Sequence, residues 1–353
     1  MEKKFFLLDC TIRDGSYALE GAKKFKFKNR VFSKDNIIAI LKNLCSANID
    51  IVELGTVEHR EKDKTGYAIY ESIEEISKNI PKERKHNQLT SVFFRGPDIP
   101  MDVIPEYRDG LCDIIRLSIR YSQLDKSLEY CKLLCEKGYK VSIQPAITMR
   151  YSEEELDRII QFANDMGAFS VYIVDTYGYM EANDISHILK KMDNGLNKDI
   201  RIGFHAHNNL NSAIWNSAEF LKMNSNHDII LDTCCMGMGQ GAGNLNTELI
   251  VPYINNHYNR NYQLKPIIEN CGILQNYWEK NMWGYSTSMA LTAIFKIAYG
   301  YALALEFEYG YSLTEIYEIL SYITDDAKYR YTKENLCNAI NQYNLYKESG
   351  RGV

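Results

Sequence analysis

The sequence predicts a closed (βα)8 barrel followed by a helical appendage, and three observations carry that prediction. Eight short apolar runs rich in β-branched residues alternate with amphipathic segments from the start of the chain to about residue 257. Such alternation implies parallel βαβ units with right-handed crossovers and helices on the outside. Eight units within about 255 residues match a closed barrel, which runs to roughly 250 residues as one unit, better than an open doubly wound sheet. From about Tyr262 the strand signals stop, and the chain becomes helical and rich in tyrosine.

The strands are read in order over Phe5–Cys10, Asp50–Gly55, Leu89–Phe94, Asp113–Ile119, Lys140–Ile147, Ser170–Asp175, Arg201–His205 and Ile229–Thr233. Between them, Lys34–Ala47 carries Ile37, Ile38, Leu41 and Leu44 on one stripe, and Tyr151–Met166, Ala182–Met192 and Asn211–Met223 keep the same helical period. Residues 1–261 are assigned to the barrel domain and residues 262–353 to a C-terminal helical domain. In the latter, Ser312 and Glu315 have the spacing of a capping box at the start of a helix. Met289–Leu305 is apolar nearly all round, which predicts burial against the barrel or a partner.

Composition narrows the function classes. Of 353 residues, 45% are hydrophobic and 25% charged, as in a globular chain that can bury a large core. Net charge is −5, from 41 basic and 46 acidic residues, which leaves no electrostatic footprint for nucleic acid or an anionic membrane. The nine cysteines are odd in number, lack any CxxC pair and sit mostly in apolar runs, so reduced, buried thiols are expected rather than a disulfide framework. The apolar run near the N-terminus is cut by Asp9 after four residues, too short for a signal peptide. No apolar stretch approaches the roughly 20 residues of a membrane span, and the expected location is the cytoplasm.

Active sites of such barrels lie at the C-terminal ends of the strands, and three strand ends are polar: DCTIRDGS, FHAHNN and DTCCMGMGQGAGN. His205 and His207 are two residues apart on a strand, so their imidazoles share a side and converge at the barrel mouth. Two neutral nitrogens and a carboxylate from another strand make a three-point site with open positions, as a catalytic metal needs; otherwise the pair is simply two satisfied polar side chains. Arg13-Asp14 reads as a surface ion pair of little worth, or, at the end of a buried strand, as a hard oxygen ligand beside a fixed guanidinium fork. Period-2 counting leaves Asp9 and Asp14 open as the ligand. The run from Gly237 to Asn244 fits dinucleotide binding poorly, because it follows the eighth strand and no acid stands about 20 residues on. It reads better as a backbone loop closing on a substrate anion, or as a tight turn.

TIRDGS, the Val52–Gly55 sequence VELG, the Asp175–Gly178 sequence DTYG, HAHNN and GMGQGAGN together resemble the DRE-TIM metallolyases over the whole barrel. Within that superfamily the pattern is most similar to the 4-hydroxy-2-oxovalerate aldolases, through GMGQGAGN and the tail segment Trp283-Gly284-Tyr285. The resemblance implies Asp14, His205 and His207 as metal ligands, with Asn244 at or near the metal. It implies Arg13 holding the 2-oxo oxygen as the enolate forms, Glu53 as the strand-2 glutamate, and Tyr285 reaching the mouth. The implied cofactor is a divalent cation, usually Mn2+ or Mg2+ and sometimes Zn2+. Tyr17 is a departure: the resembling aldolases carry a catalytic histidine there, and the acyl-CoA enzymes a glutamine. Tyr17 is therefore expected either to donate a hydrogen bond to the substrate or to form an aromatic wall.

The chemistry expected is that of a class II aldolase or carbon–carbon lyase acting on a pyruvate-type 2-oxo acid and an aldehyde. A cation and an arginine at the carbonyl oxygen stabilise charge that develops only in the transition state. The other route, a Schiff-base lysine, lacks a candidate: no strand ends in lysine, and Lys140 begins strand 5. The rivals are a Claisen-type carboligase joining an acyl-CoA to a 2-oxo acid, and an inactive barrel serving as an assembly subunit. A homo-oligomer and a partner enzyme docking on the tail are further expectations.

Overall fold

The computed structural model describes residues 4–24, 31–59, 64–281 and 283–349. Eight parallel strands close into a barrel: β1 Phe5–Asp9, β2 Ile51–Val57, β3 Leu89–Phe94, β4 Ile114–Ile119, β5 Lys140–Pro145, β6 Ser170–Asp175, β7 Arg201–Ala206 and β8 Ile229–Thr233. Each pairs with its sequence neighbour, and β1 closes the ring by pairing with both β8 and β2. A two-residue strand, Ile69–Tyr70, adds to the end of β2, where the register against β3 shifts between Glu53 and Thr56. Bulges of this kind re-aim side chains beside active sites.

Period 2 sorts each strand into an outer face under the helices and an inner face. Leu8, Ile51, Ile114, Tyr172 and Ile230 point inward and pack together. Two residues further along β2, β4 and β8 come Glu53, Arg116 and Asp232, all buried. The interior therefore has an apolar floor and a charged storey above it, toward the C-terminal mouth. Gly203 on β7 makes room for Tyr172, because a Cβ there would meet the tyrosine ring at 2.4 Å.

Two elements differ from the sequence reading. Strand 1 stops at Asp9, and the helix Thr11–Lys24 begins at once, so Arg13 and Asp14 sit on its first turn rather than on a strand. Period-2 counting past Asp9 is therefore overturned. The apolar stretch Met289–Leu305 is not one buried helix. It breaks at Lys296, whose φ is 57°, into Thr287–Ile294 and Gly300–Leu303, and Ile294 is 60% exposed.

The long helix Leu264–Asn281 lies along Lys34–Ser46 and shares the barrel's outer core through Ile267, Leu274 and Tyr277. Beyond it, Met289, Tyr301, Leu305, Ile316, Leu336 and Tyr343 build a second core that also takes in Tyr177, Tyr179 and Ala242 from the barrel's rim. The expected capping box forms: Ser312 accepts from the Glu315 amide, and Glu315 accepts from the Ser312 amide at 3.0 Å. All nine cysteines are free thiols. No helix among the described residues is long and apolar enough to cross a membrane.

Candidate metal centre and active site

The helix that follows β1 so closely throws Asp14 back over the barrel mouth, where its Oδ2 lies 3.6 Å from His205 Nε2 on β7. Its other oxygen is held by Arg13, whose Nε donates to Glu53 Oε2 at 2.8 Å. Glu53 accepts in turn from Arg116, whose Nη1 is 2.9 and 3.0 Å from the two carboxylate oxygens. Arg116 also grips Asp232, and Asp232 Oδ2 lies 2.9 Å from His205 Nδ1. The contacts form a closed ring, Asp14–Arg13–Glu53–Arg116–Asp232–His205, drawn from β1's helix, β2, β4, β7 and β8.

Three carboxylates against two guanidinium groups leave that ring with a net charge of −1 when the imidazoles are neutral. Burial alone would raise the Asp14 carboxyl, but Arg13, then His205 and His207, hold it below the usual carboxylate range. Asp232 is likewise held down against burial, by Arg116 and His205. Burial, reinforced by His205, pushes His207 down to about 3, so it stays neutral with a lone pair to offer. Asp232 Oδ2 at His205 Nδ1 leaves His205 Nε2 facing Asp14, the arrangement that orients a metal-ligating histidine.

Asn244 completes the cluster through the glycine loop. It bridges to His207 across an isolated antiparallel pair, and its Nδ2 donates to Asp14 Oδ2 at 3.0 Å. Its Oδ1 is buried without a hydrogen-bond partner among the described residues. The loop folds back on itself, with Asn244 N donating to Gly237 O and Gly243 N to Gln240 O. Gly243 has φ 87°, and a Cβ there would stand 2.1 Å from Gly237 O, so only glycine fits. The loop thus seats Asn244 beside Asp14. The orphaned oxygen, the oxygen and nitrogen donor set and the net negative charge all fit a divalent cation.

The structure brings together Arg13, Asp14, Glu53, His205, His207 and Asn244, with Tyr17 alongside. Tyr17 is one helical turn beyond Arg13 and forms a wall: its ring meets Phe93 edge-on at 6.1 Å, and the Arg95 guanidinium lies 3.9 Å over it. Its hydroxyl accepts from Thr56 at 2.9 Å, and burial raises the phenol against the pull of Arg95 and Arg13, so it is a poor base. Tyr285 is not brought in. It is 60% exposed, beside Gly284 in the turn before Thr287–Ile294, and no contact joins it to the cluster among the described residues. Tyr299 of the tail stands nearer, packed on Tyr177 and facing Gly241 of the glycine loop. Asp9 is bonded to Thr11 and Thr247 and plays no part in the centre. Arg116 and Asp232 were missed in the sequence; the signal available was a charge inside an otherwise apolar strand.

The fold agrees with the comparisons. A family model described as HMGL-like matches residues 115–270. The matched stretch, under half of the chain, is HMGL-like. A 4-hydroxy-2-oxovalerate aldolase of Geobacillus genomosp. 3 is 28% identical over 247 residues, covering 69% of this chain and 68% of that one. An oxaloacetate decarboxylase of Mycobacterium tuberculosis is 27% identical over 246 residues, with the same two coverages of 69% and 68%. Among solved structures, the N-terminal domain of a Bacteroides vulgatus protein superposes with a TM-score of 0.70 at 20% identity, over 88% of this chain and 98% of that one. The last shows the barrel fold; the HMGL-like match takes in Arg116, both histidines and Asp232.

Proposed function

We propose that this chain is a divalent-metal-dependent lyase of the aldolase type, cleaving or forming a C–C bond through the enolate of a pyruvate-type 2-oxo acid. One observation supports the reading: a closed ring of buried charges joins Asp14 to His205 at the mouth, with His207 and Asn244 beside them. Asp14, His205, His207 and Asn244 would hold the cation. When bound, the cation stabilises negative charge on the 2-oxo oxygen. Arg13 spends Nε on Glu53 and Nη1 on Asp14, which leaves Nη2 to donate to that oxygen as it gains charge. Glu53 fixes the fork, while Tyr17 and Phe93 wall the pocket on the Arg13 side.

A second reading is favoured by Tyr17 itself. Retro-aldol cleavage needs a base at the distal hydroxyl, and the raised phenol is unsuited to that task. A 3-carboxy-2-oxo acid expels CO2 instead and needs no base at that position, and one relative is named an oxaloacetate decarboxylase. The test is to supply metal-loaded protein with a panel of 4-hydroxy-2-oxo acids and 3-carboxy-2-oxo acids and to assay pyruvate. Pyruvate release without CoA supports the lyase and excludes the carboligase. Chelation and Asp14→Ala are each expected to abolish turnover; full activity after chelation would sink the metal reading.

A further inference from the structure

Two thiols stand inside the candidate metal centre, and neither the ring nor the proposed reaction uses them. Cys10 follows β1 and Cys234 follows β8, adjacent parallel strands, and Cys10 N donates to Thr233 O at 2.9 Å, so the two residues lie side by side. Both are wholly buried at the top of the barrel's inner apolar floor. Cys10 Sγ is 3.4 Å from Asp14 Oδ2 and 3.5 Å from Cys234 Sγ, and Cys234 Sγ is 4.0 Å from the same Asp14 oxygen. Cys10 also groups with His205 and Asp232, with ligand atoms all within 4.8 Å of one another.

We propose that Cys10, with Cys234 beside it, supplies thiolate sulfur to the cation held by Asp14 and His205, so that the centre prefers a thiophilic ion such as Zn2+ or Co2+ to Mg2+. This rests on the reading of the mouth as a metal centre. Ligands at about 2.0–2.3 Å in a tetrahedral shell are separated by roughly 3.3–3.8 Å. The Cys10–Asp14 and Cys10–Cys234 spacings, and the 3.6 Å between Asp14 and His205, lie in that range. A triangle of the three Cys10, Asp14 and Cys234 atoms leaves a point about 2.1–2.3 Å from all of them, the length of metal–sulfur and metal–oxygen bonds. Asn244 Nδ2, 3.2 Å from Cys234 Sγ, is placed to donate to a sulfur that carries charge. Soft sulfur donors select Zn2+ and its like over the hard cations that oxygen ligands favour. Binding is balanced by proton release: each thiol that ligates gives its proton to solvent and leaves a metal–sulfur bond.

The experiment loads chelated, full-length protein with Co2+ and records the optical spectrum, then challenges it with Zn2+ and with Mg2+. The expected result is a sulfur-to-cobalt charge-transfer band in the near ultraviolet. It should persist under excess Mg2+, vanish on Zn2+ displacement, weaken in Cys10→Ser or Cys234→Ser and disappear in the double variant. X-ray absorption of the wild-type Zn2+ protein should show sulfur at about 2.3 Å, which keeps the test decisive even if a variant fails to fold. Stoichiometric Co2+ binding with ligand-field bands but no charge-transfer band, and no sulfur in the shell, overturns the thiolate proposal while leaving the metal centre intact. Absence of stoichiometric Co2+ binding overturns the metal reading itself, and this proposal with it.

Discussion

Arg116 is a guanidinium with no exposed surface, on a strand whose neighbours are isoleucine and leucine. A buried charge persists only when its partners offset the cost of leaving water, and here Glu53 and Asp232 do so from opposite sides. Arg116→Met keeps the volume but leaves both carboxylates short of their counter-charge. The expected cost is about 3–5 kcal/mol, read by urea unfolding. Metal affinity should fall by roughly 10–100-fold, because Asp232 then orients His205 less firmly. Unaltered stability and affinity would show that the ring is not the scaffold of the site. Of the proposed ligands, the two histidines were legible as a local HxH pattern, while Asp14 was singled out over Asp9 only by the family resemblance. The ring that holds them was not legible. Arg116 and Asp232 are 116 residues apart and Cys10 and Cys234 are 224 apart, and only barrel closure makes each pair neighbours.

At the scale of elements, three of the eight strands begin and end where hydrophobic patterning put them, and the others differ by a few residues at their ends. Patterning could not see that the chain turns into helix directly after Asp9, because Cys10, Thr11 and Ile12 are as suited to strand as to helix. That turn decides which carboxylate meets the histidines: Asp14 reaches His205, whereas Asp9 is spent on Thr11 and Thr247. The helical tail likewise divides by packing rather than by texture. Asn270 donates to Ile40 O, Asn43 to Asn270, and Asn36 to the Tyr277 hydroxyl, so Leu264–Asn281 is fastened to the barrel. A chain ending near residue 260 exposes the apolar side of Lys34–Ser46 and is expected to aggregate. A chain ending near residue 285 keeps that contact and should stay soluble and bind metal. It should lose turnover, since Tyr299 and the cover over Tyr177 are gone. Size-exclusion chromatography, metal content and the pyruvate assay on both truncations check this, and equal behaviour of the two contradicts it.

The pH dependence of the whole molecule follows from groups that burial has moved in opposite directions. Burial raises Asp9 to about 6 against its hydrogen bonds from Thr11 and Thr247, and raises Asp175 to about 7 against the amides of Tyr179, Met180 and Gly178. Both lie above their unfolded values. The stability each contributes is complete below about pH 4 and is lost as pH rises through the folded value. His207, pushed down to about 3, acts the other way: its contribution is lost as pH falls from about 6.5. In the metal-free protein between about pH 4.5 and 6, the folded chain holds two protons on the aspartates. The unfolded chain holds one on His207. On these three groups unfolding releases at most one net proton, so they make stability fall by up to about 1.4 kcal/mol per pH unit as pH rises through that window, less toward pH 6 where Asp9 itself titrates. Asp9→Asn removes one of the folded chain's protons. Its amide oxygen can keep the Thr11 amide bond of 3.0 Å, and its nitrogen can donate to the Thr247 hydroxyl, 2.7 Å from the present carboxylate. Proton uptake in the two states then cancels. Urea midpoints of the variant should be flat from pH 4.5 to 6 while those of the wild type decline, and an equal decline in both would show that Asp9 is already ionised in the folded barrel.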